Sequence, residues 1–180
     1  MEILIIVGVI VLLIIVIWFI SVSNAFNRDI VKIDEADSGI DVALTKRYDV
    51  LTKMIAVCKG YAKHEKETIT DTIKYRKGMS MEERVEANNK MNETLGKINV
   101  LAEAYPELKA SENFKTLQTA IADVEEHLQA ARRLYNANIS SYNQRVVSFP
   151  SSMIASFKGL SKREFFEADE AKKEDVKIEF

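Results

Sequence analysis

The stretch Ile3-Leu4-Ile5-Ile6-Val7-Gly8-Val9-Ile10-Val11-Leu12-Leu13-Ile14-Ile15-Val16-Ile17-Trp18-Phe19-Ile20 holds no charge and no proline. About eighteen residues at a rise of 1.5 Å make roughly 27 Å of helix, close to the hydrocarbon thickness of a bilayer. Most of these side chains favour insertion, and Trp18 and Phe19 sit near one end, where aromatic rings prefer the headgroup region. A helix this apolar on every side would need equally apolar partners in a soluble core, and nothing later in the chain supplies them. The sequence therefore predicts a transmembrane span whose lipid contact runs from Ile3 to Ile20.

Ser21-Val22-Ser23 has small residues in the spacing of a signal-peptidase site. Yet only Met1 and Glu2 precede the apolar run, which is also too long for an ordinary signal-peptide core. No cysteine follows for lipoprotein processing, so the segment is expected to stay as an uncleaved anchor over residues 1–23. Basic residues lie beyond the span, at Arg28 and Lys32, and none lies before it. The positive-inside rule then places the C-terminal domain of this single-pass protein in the cytoplasm.

The chain has 180 residues, a formal net charge of −2, 6 glycines and 2 prolines. That charge gives no general attraction to nucleic acid, and the shortage of breakers predicts long helices. The single cysteine, Cys58, excludes an internal disulfide and falls on an apolar stripe, where a buried thiol is expected.

From Ile30, apolar residues recur at helical spacing through Ile33, Ile40, Leu44, Tyr48, Leu51, Ile55, Cys58, Ala62, Ile69 and Ile73. This predicts one amphipathic helix from about Asn27 to Lys77, ended by Gly78. Ser80-Met81-Glu82-Glu83 reads as a capping box opening a second helix, from about Met81 to Ala104. Its stripe uses Val85, Met91, Leu95, Ile98, Leu101 and Tyr105, with Asn88, Asn89 and Asn92 interrupting it, and Pro106 closes it. Ser111 is the expected N-cap of a third helix carrying Phe114, Leu117, Ile121, Val124, Leu128, Ala131, Tyr135, Asn138, Tyr142 and Val146. Phe149-Pro150 ends that helix. Met153 to Phe157 forms a short fourth.

No segment reads as a strand. The expected fold is all-α: the anchor, then an antiparallel up-and-down bundle of three long helices plus a short fourth over residues 24–167. A charged flexible tail occupies 168–180. A first helix about twice as long as the second leaves its membrane-proximal seam (Ile30, Ile33, Ile40) without an obvious partner. A parallel homodimer through this juxtamembrane helix would bury it.

Three blocks resemble one family. They are Ile40-Asp41-Val42-Ala43-Leu44-Thr45-Lys46-Arg47-Tyr48-Asp49 with Lys59-Gly60-Tyr61-Ala62-Lys63-His64-Glu65, then Leu101-Ala102-Glu103-Ala104-Tyr105-Pro106-Glu107-Leu108-Lys109-Ala110 with Glu112-Asn113-Phe114. The third is Ala131-Arg132-Arg133-Leu134-Tyr135-Asn136 with Tyr142-Asn143 and Ser148-Phe149-Pro150-Ser151. Together with the anchor they resemble the LemA proteins of bacteria over nearly everything up to Glu167. Asp37 stands where that family usually has Trp, and Thr52-Lys53 where it usually has Pro-Asn. The resemblance implies a membrane-anchored up-and-down helical bundle and does not by itself imply an activity of any kind.

Chemical motifs are sparse. His64-Glu65 lacks a second His four residues on, so it does not make a zinc-protease helix, and no Glu-x-x-His turns exist for a di-iron bundle. Nucleophilic triads and phosphate-binding glycine loops are absent. No catalytic residue, cofactor or metal ligand is assigned, and the function expected is a non-enzymatic scaffold or adaptor that binds a protein partner. The alternative is a signalling relay, by conformational switching or phosphoacceptance at His64.

If Gly78 is a hairpin tip, Glu65 lies opposite about Asn92, and if Phe149 also ends near that tip, Asn136 and Asn138 fall within a turn of the same height. A buried carboxylate must be paired, so Glu65 is expected to meet an Arg or several amides. The candidates for this polar layer or for partner contact are Asp41, Arg47, Tyr61, His64, Glu65, Asn92, Arg132, Arg133, Asn136 and Asn138. Its simplest role is to fix helix register. Phe149, Pro150 and Ile154 are the expected apolar cap of the bundle end.

Overall fold

Long helices follow from a chain with few Gly and Pro, and Pro106 and Pro150 fall at helix boundaries. The computed structural model describes residues 1–61, 74–76 and 78–166. Among them are five helices and no strand: α1 (Glu2–Tyr61), α2 (Met81–Ala104), α3 (Pro106–Ala110), α4 (Glu112–Val147) and α5 (Ser151–Phe157). The all-α bundle with a long apolar N-terminal helix is as the sequence predicts. The apolar run has a mean hydropathy of 3.7 over an 18-residue window, none of it buried. By length and composition this helix can cross a membrane.

Local chemistry accounts for the ends. Ser80 accepts from the Glu83 amide (3.2 Å) while its own amide donates to Glu83 Oε2 (2.7 Å), so α2 starts on the predicted capping box. Pro106 ends α2 and also opens the short helix α3, a first-turn position where its missing N–H costs nothing. The Phe114 amide donates to Ser111 Oγ (3.3 Å) at the start of α4.

One boundary differs. The first helix was expected to reach Lys77, but Lys74–Arg76 are not helical. The Tyr75 hydroxyl donates to Asp41 Oδ1 (2.8 Å) and its ring lies 6.5 Å from that of Tyr48. The chain therefore enters α2 from the level of Asp41, and Gly78 (φ +84°) turns it there rather than at the far end of α1.

The described residues cluster into two compact units, to both of which α1 and α4 contribute: Met1–Asp37 with Leu134–Phe165, and Ser38–Arg133 with Phe166–Phe180, of which last stretch only residue 166 is described. In the second unit, Leu51, Met54 and Cys58 of α1 pack with Met91, Ile98 and Leu101 of α2, Leu108 of α3 and Phe114 and Ile121 of α4. Arg84 faces Asp41, and Asn88 and Asn92 face Arg47, so numbers rise together and α2 runs in the same direction as α1. Helix α4 runs against α1: Glu125 meets Arg47, and a Cβ added to Gly39 would lie 4.0 Å from Ala131 Cβ.

In the first unit, Asn138 donates to the Lys32 carbonyl (3.0 Å) and Phe26 meets Tyr142 edge-on at 6.1 Å. Arg145 pairs with Asp29 (2.7 Å) and lies over the Phe26 ring. Asn143 clamps the chain beyond α5, donating to the Arg163 carbonyl and accepting from its amide, each at 2.8 Å. Ile33 in this unit and Ile40 in the other are buried, and Ile30 is half-buried. The seam expected to need a second copy is thus covered within the chain, because α4 runs on past Leu134 alongside α1.

Candidate functional site

Arg47 is the most polar group in the interior. It lies on the apolar stripe of α1 between Leu44 and Leu51 and is only 2 % exposed. One terminal nitrogen donates to Asn88 Oδ1, and the other donates to Asn92 Oδ1 (2.7 Å) and pairs with Glu125 Oε2 (2.8 Å). Asn88 and Asn92 are four apart on α2, so both amides stand on one face and reach one guanidinium. Burial pulls the Arg47 pKa below its ordinary value, opposed by the carboxylate of Glu125. A guanidinium nevertheless stays charged at any physiological pH, so this network is held as an ion with its partners around it.

Nearly two turns earlier on α1, Asp41 accepts from Tyr75 and faces Arg84 at 3.5 Å. Burial, followed by the hydrogen bond and charge of Asp41, raises the Tyr75 pKa well above the usual phenol range. Arg132 of α4 lays its guanidinium over the Phe166 ring, 4.7 Å from the centroid. Its pKa is lowered first by burial and then by Arg47, with Glu125 acting in the opposite sense. Three guanidiniums and two carboxylates therefore share one layer of the second unit.

The layer differs from the expected one in membership. Its centre is Arg47, and it takes in Asp41, Asn92 and Arg132 from the predicted set. Asn138 is not in it, because α4 runs antiparallel to α1 and carries Asn138 to Lys32 in the first unit. Asn136 also belongs to that unit, where it is half-buried. Arg133 is exposed, and Tyr61, the last residue of α1, is 43 % exposed. His64 and Glu65 lie outside the described residues. The height matching through a hairpin at Gly78 fails because α2 starts beside Asp41 and runs parallel to α1.

Sequence reasoning passed over Arg84, Asn88, Tyr75 and Glu125 as members. The signal for two of these was present: Arg84 and Asn88 recur every four residues with the predicted Asn92, a polar stripe on the face that also carries Met91. Asn88 was read as an interruption of the apolar face when it is part of the buried one.

At the end of α4, Ile154 is buried, but Phe149 is 82 % exposed and Pro150 is exposed. The Ser151 hydroxyl turns back onto the carbonyls of Arg145 (2.7 Å) and Ser148 (2.9 Å). This turns Ile154 and Ala155 inward and leaves Phe149 outside, so Phe149 does not close the core as expected. Among the described residues, no cluster of three or more His, Cys, Asp or Glu could hold a metal ion. Chemically, the Arg47 layer is suited to fixing helix register and to coupling three helices through charge.

A model of the LemA family matches residues 36–180. Protein LemA of Metamycoplasma hominis is 30% identical over 163 residues, covering 88% of this chain and 74% of that protein. Magnetosome protein MamQ of Magnetospirillum gryphiswaldense is 25% identical over 80 residues, covering 44% of this chain and 29% of that protein.

Proposed function

This chain belongs to the LemA family, and from that premise we propose that it is a single-pass bacterial membrane protein whose helical bundle is a non-enzymatic scaffold binding a protein partner. The observation that carries the reading is α1 itself. It is one unbroken helix from Glu2 to Tyr61, exposed and apolar at its start, and it carries Arg47 and a core stripe further along. An apolar surface of that extent finds its solvent in lipid. The Arg47 layer supports a structural interior, since Asn88, Asn92 and Glu125 all converge on Arg47, and recognition is then left to the outer faces.

The test is crosslinking in intact cells from a photoreactive residue placed at Val100, which is 67 % exposed on α2. The expected result is a discrete protein adduct that disappears when the bundle is replaced by an unrelated soluble domain on the same anchor. Adducts unchanged by that replacement would overturn the scaffold reading. Orientation is tested at the same time. A membrane-impermeant maleimide should fail to label a K115C variant in intact cells and label it once the membrane is opened.

A second reading, a signalling relay, is favoured by the charged layer inside the bundle, a natural place for two arrangements of similar energy. Acid-labile phosphate incorporated from cell lysate into the wild type but not a His64→Gln variant would support its phosphoacceptor form. Equal incorporation, or none, would count against it.

A further inference from the structure

The first unit exposes apolar side chains beside the end of the proposed span. The Phe157 ring meets Phe19, the penultimate residue of the apolar run, edge-on at 6.0 Å, and is still 80 % exposed. Lys158 extends its Nζ to Ser23 Oγ (3.0 Å) and Asn27 Oδ1 (3.1 Å), so the end of α5 is tied to the first polar turns beyond the run. Met153 lies one turn before Phe157 and is 62 % exposed, while Ile154 and Ala155 on the opposite face are buried. Phe149, which precedes α5, and Val147, at the end of α4, are exposed as well.

We propose that α5 and the turn before it are a second membrane contact, with Phe149, Met153 and Phe157 seated in the headgroup–acyl boundary of the bilayer that α1 spans. The proposal rests on the span reading. Continuity argues for lipid rather than a protein: Phe157 is in contact with a residue of the apolar run, so the surface begins where the hydrocarbon ends. The headgroup zone adds roughly 5–7 Å on each side of the core, and Ser23, to which the end of α5 is tied, lies three residues or about 5 Å of helix beyond Ile20. Aromatic rings favour that zone, and Met adapts to it. Lys162, exposed five residues beyond α5, adds a positive charge near this end that suits anionic headgroups. The contact would make this end of the bundle lie on the membrane as well as hang from it.

The experiment uses the full chain in liposomes of phosphatidylcholine and phosphatidylglycerol. M153C and F157C variants carry a polarity-sensitive fluorophore, with V11C in the apolar run and V100C on α2 for comparison. The native Cys58 is fully buried and serves as the unlabelled background. M153C and F157C should be blue-shifted and quenched several-fold more by lipids spin-labelled near the headgroup than by lipids labelled deep in the chain. V11C should show the reverse preference, and V100C neither. Quenching of V11C without quenching of M153C and F157C would overturn the proposal and leave the anchor standing. Failure of V11C to quench would remove the span reading, and the proposal with it. A blue shift at M153C without lipid quenching would mean that protein covers the face, which also overturns it.

Discussion

Arg47 on α1 and Glu125 on α4 form an ion pair of 2.8 Å in which one partner is almost wholly buried (2 % exposed) and the other is not (39 %). The asymmetry decides what each contributes. Removing Arg47 strands the carbonyls of Asn88 and Asn92 at the bundle interior, whereas neutralising Glu125 acts on a partly exposed side chain of which only the paired oxygen, Oε2, is buried.

An Arg47→Met variant is therefore expected to lose about 1–3 kcal/mol of stability, the cost of leaving buried acceptors unsatisfied. Glu125→Gln keeps the shape and a hydrogen-bonding oxygen for Arg47, and its loss should be below about 1 kcal/mol, because that acceptor survives and the rest of the side chain is partly exposed. Urea unfolding followed by circular dichroism separates the two. Equal losses would show that Arg47 depends on the carboxylate and not on the two amides.

Tyr75 gives the layer an alkaline limit. Its folded-state pKa is raised, so the folded chain holds the phenolic proton more tightly than the unfolded chain. That contribution is fully present below the ordinary tyrosine value of about 10 and is lost as the pH climbs from there through the raised value. Melting temperatures measured from about pH 8 to about pH 11 should fall more steeply for the wild type than for Tyr75→Phe, which has no proton to lose.

Cys58 is fully buried, and burial raises its thiol pKa, so little thiolate forms near neutrality. A small maleimide should modify the folded protein far more slowly than the denatured chain. Labelling of the folded protein at the denatured rate would contradict the packing of Cys58 against Leu51 and Met54.

The capping box at Ser80 sets the start of α2, directly above the turn that brings Arg84 and Asn88 to α1. Ser80→Ala should cost about 1 kcal/mol, and Ser80→Gly only a few tenths. Thermal melts of the two variants side by side distinguish a true cap, where Ala is the worse residue, from a merely exposed position.

Asn143 holds the Arg163 backbone from both sides. Asn143→Ala removes both bonds, and amide exchange at Arg163 should accelerate about tenfold or more, as expected for about 1–2 kcal/mol of lost local protection. Exchange along the core face of α2 should be unchanged.

Much of the fold was legible because it is written in local chemistry. The apolar run needs only its length and lack of charge to be read. The starts of α2 and α4 follow from Ser80, Glu83 and Ser111, whose side chains act within three residues of themselves. The core stripes of α1 and α4 follow from spacing, as Leu51, Cys58, Phe114 and Leu128 show. The membership of the polar layer was not legible, since it depends on which residues far apart in sequence come level.

Helix direction is the dividing line. The sequence by itself determined an apolar helix fit to span a bilayer and long amphipathic helices beyond it, because those are properties of consecutive residues. Tertiary structure alone decided that α2 runs parallel to α1 and α4 against it. That choice brings Asn88, Asn92 and Glu125 to Arg47 and takes Asn138 away to Lys32. Periodicity fixes which face of a helix is buried and is silent on the direction and height at which it packs. Those depend on how the helices pack in space, where the apolar core and the Arg47 contacts to Asn88, Asn92 and Glu125 are made together.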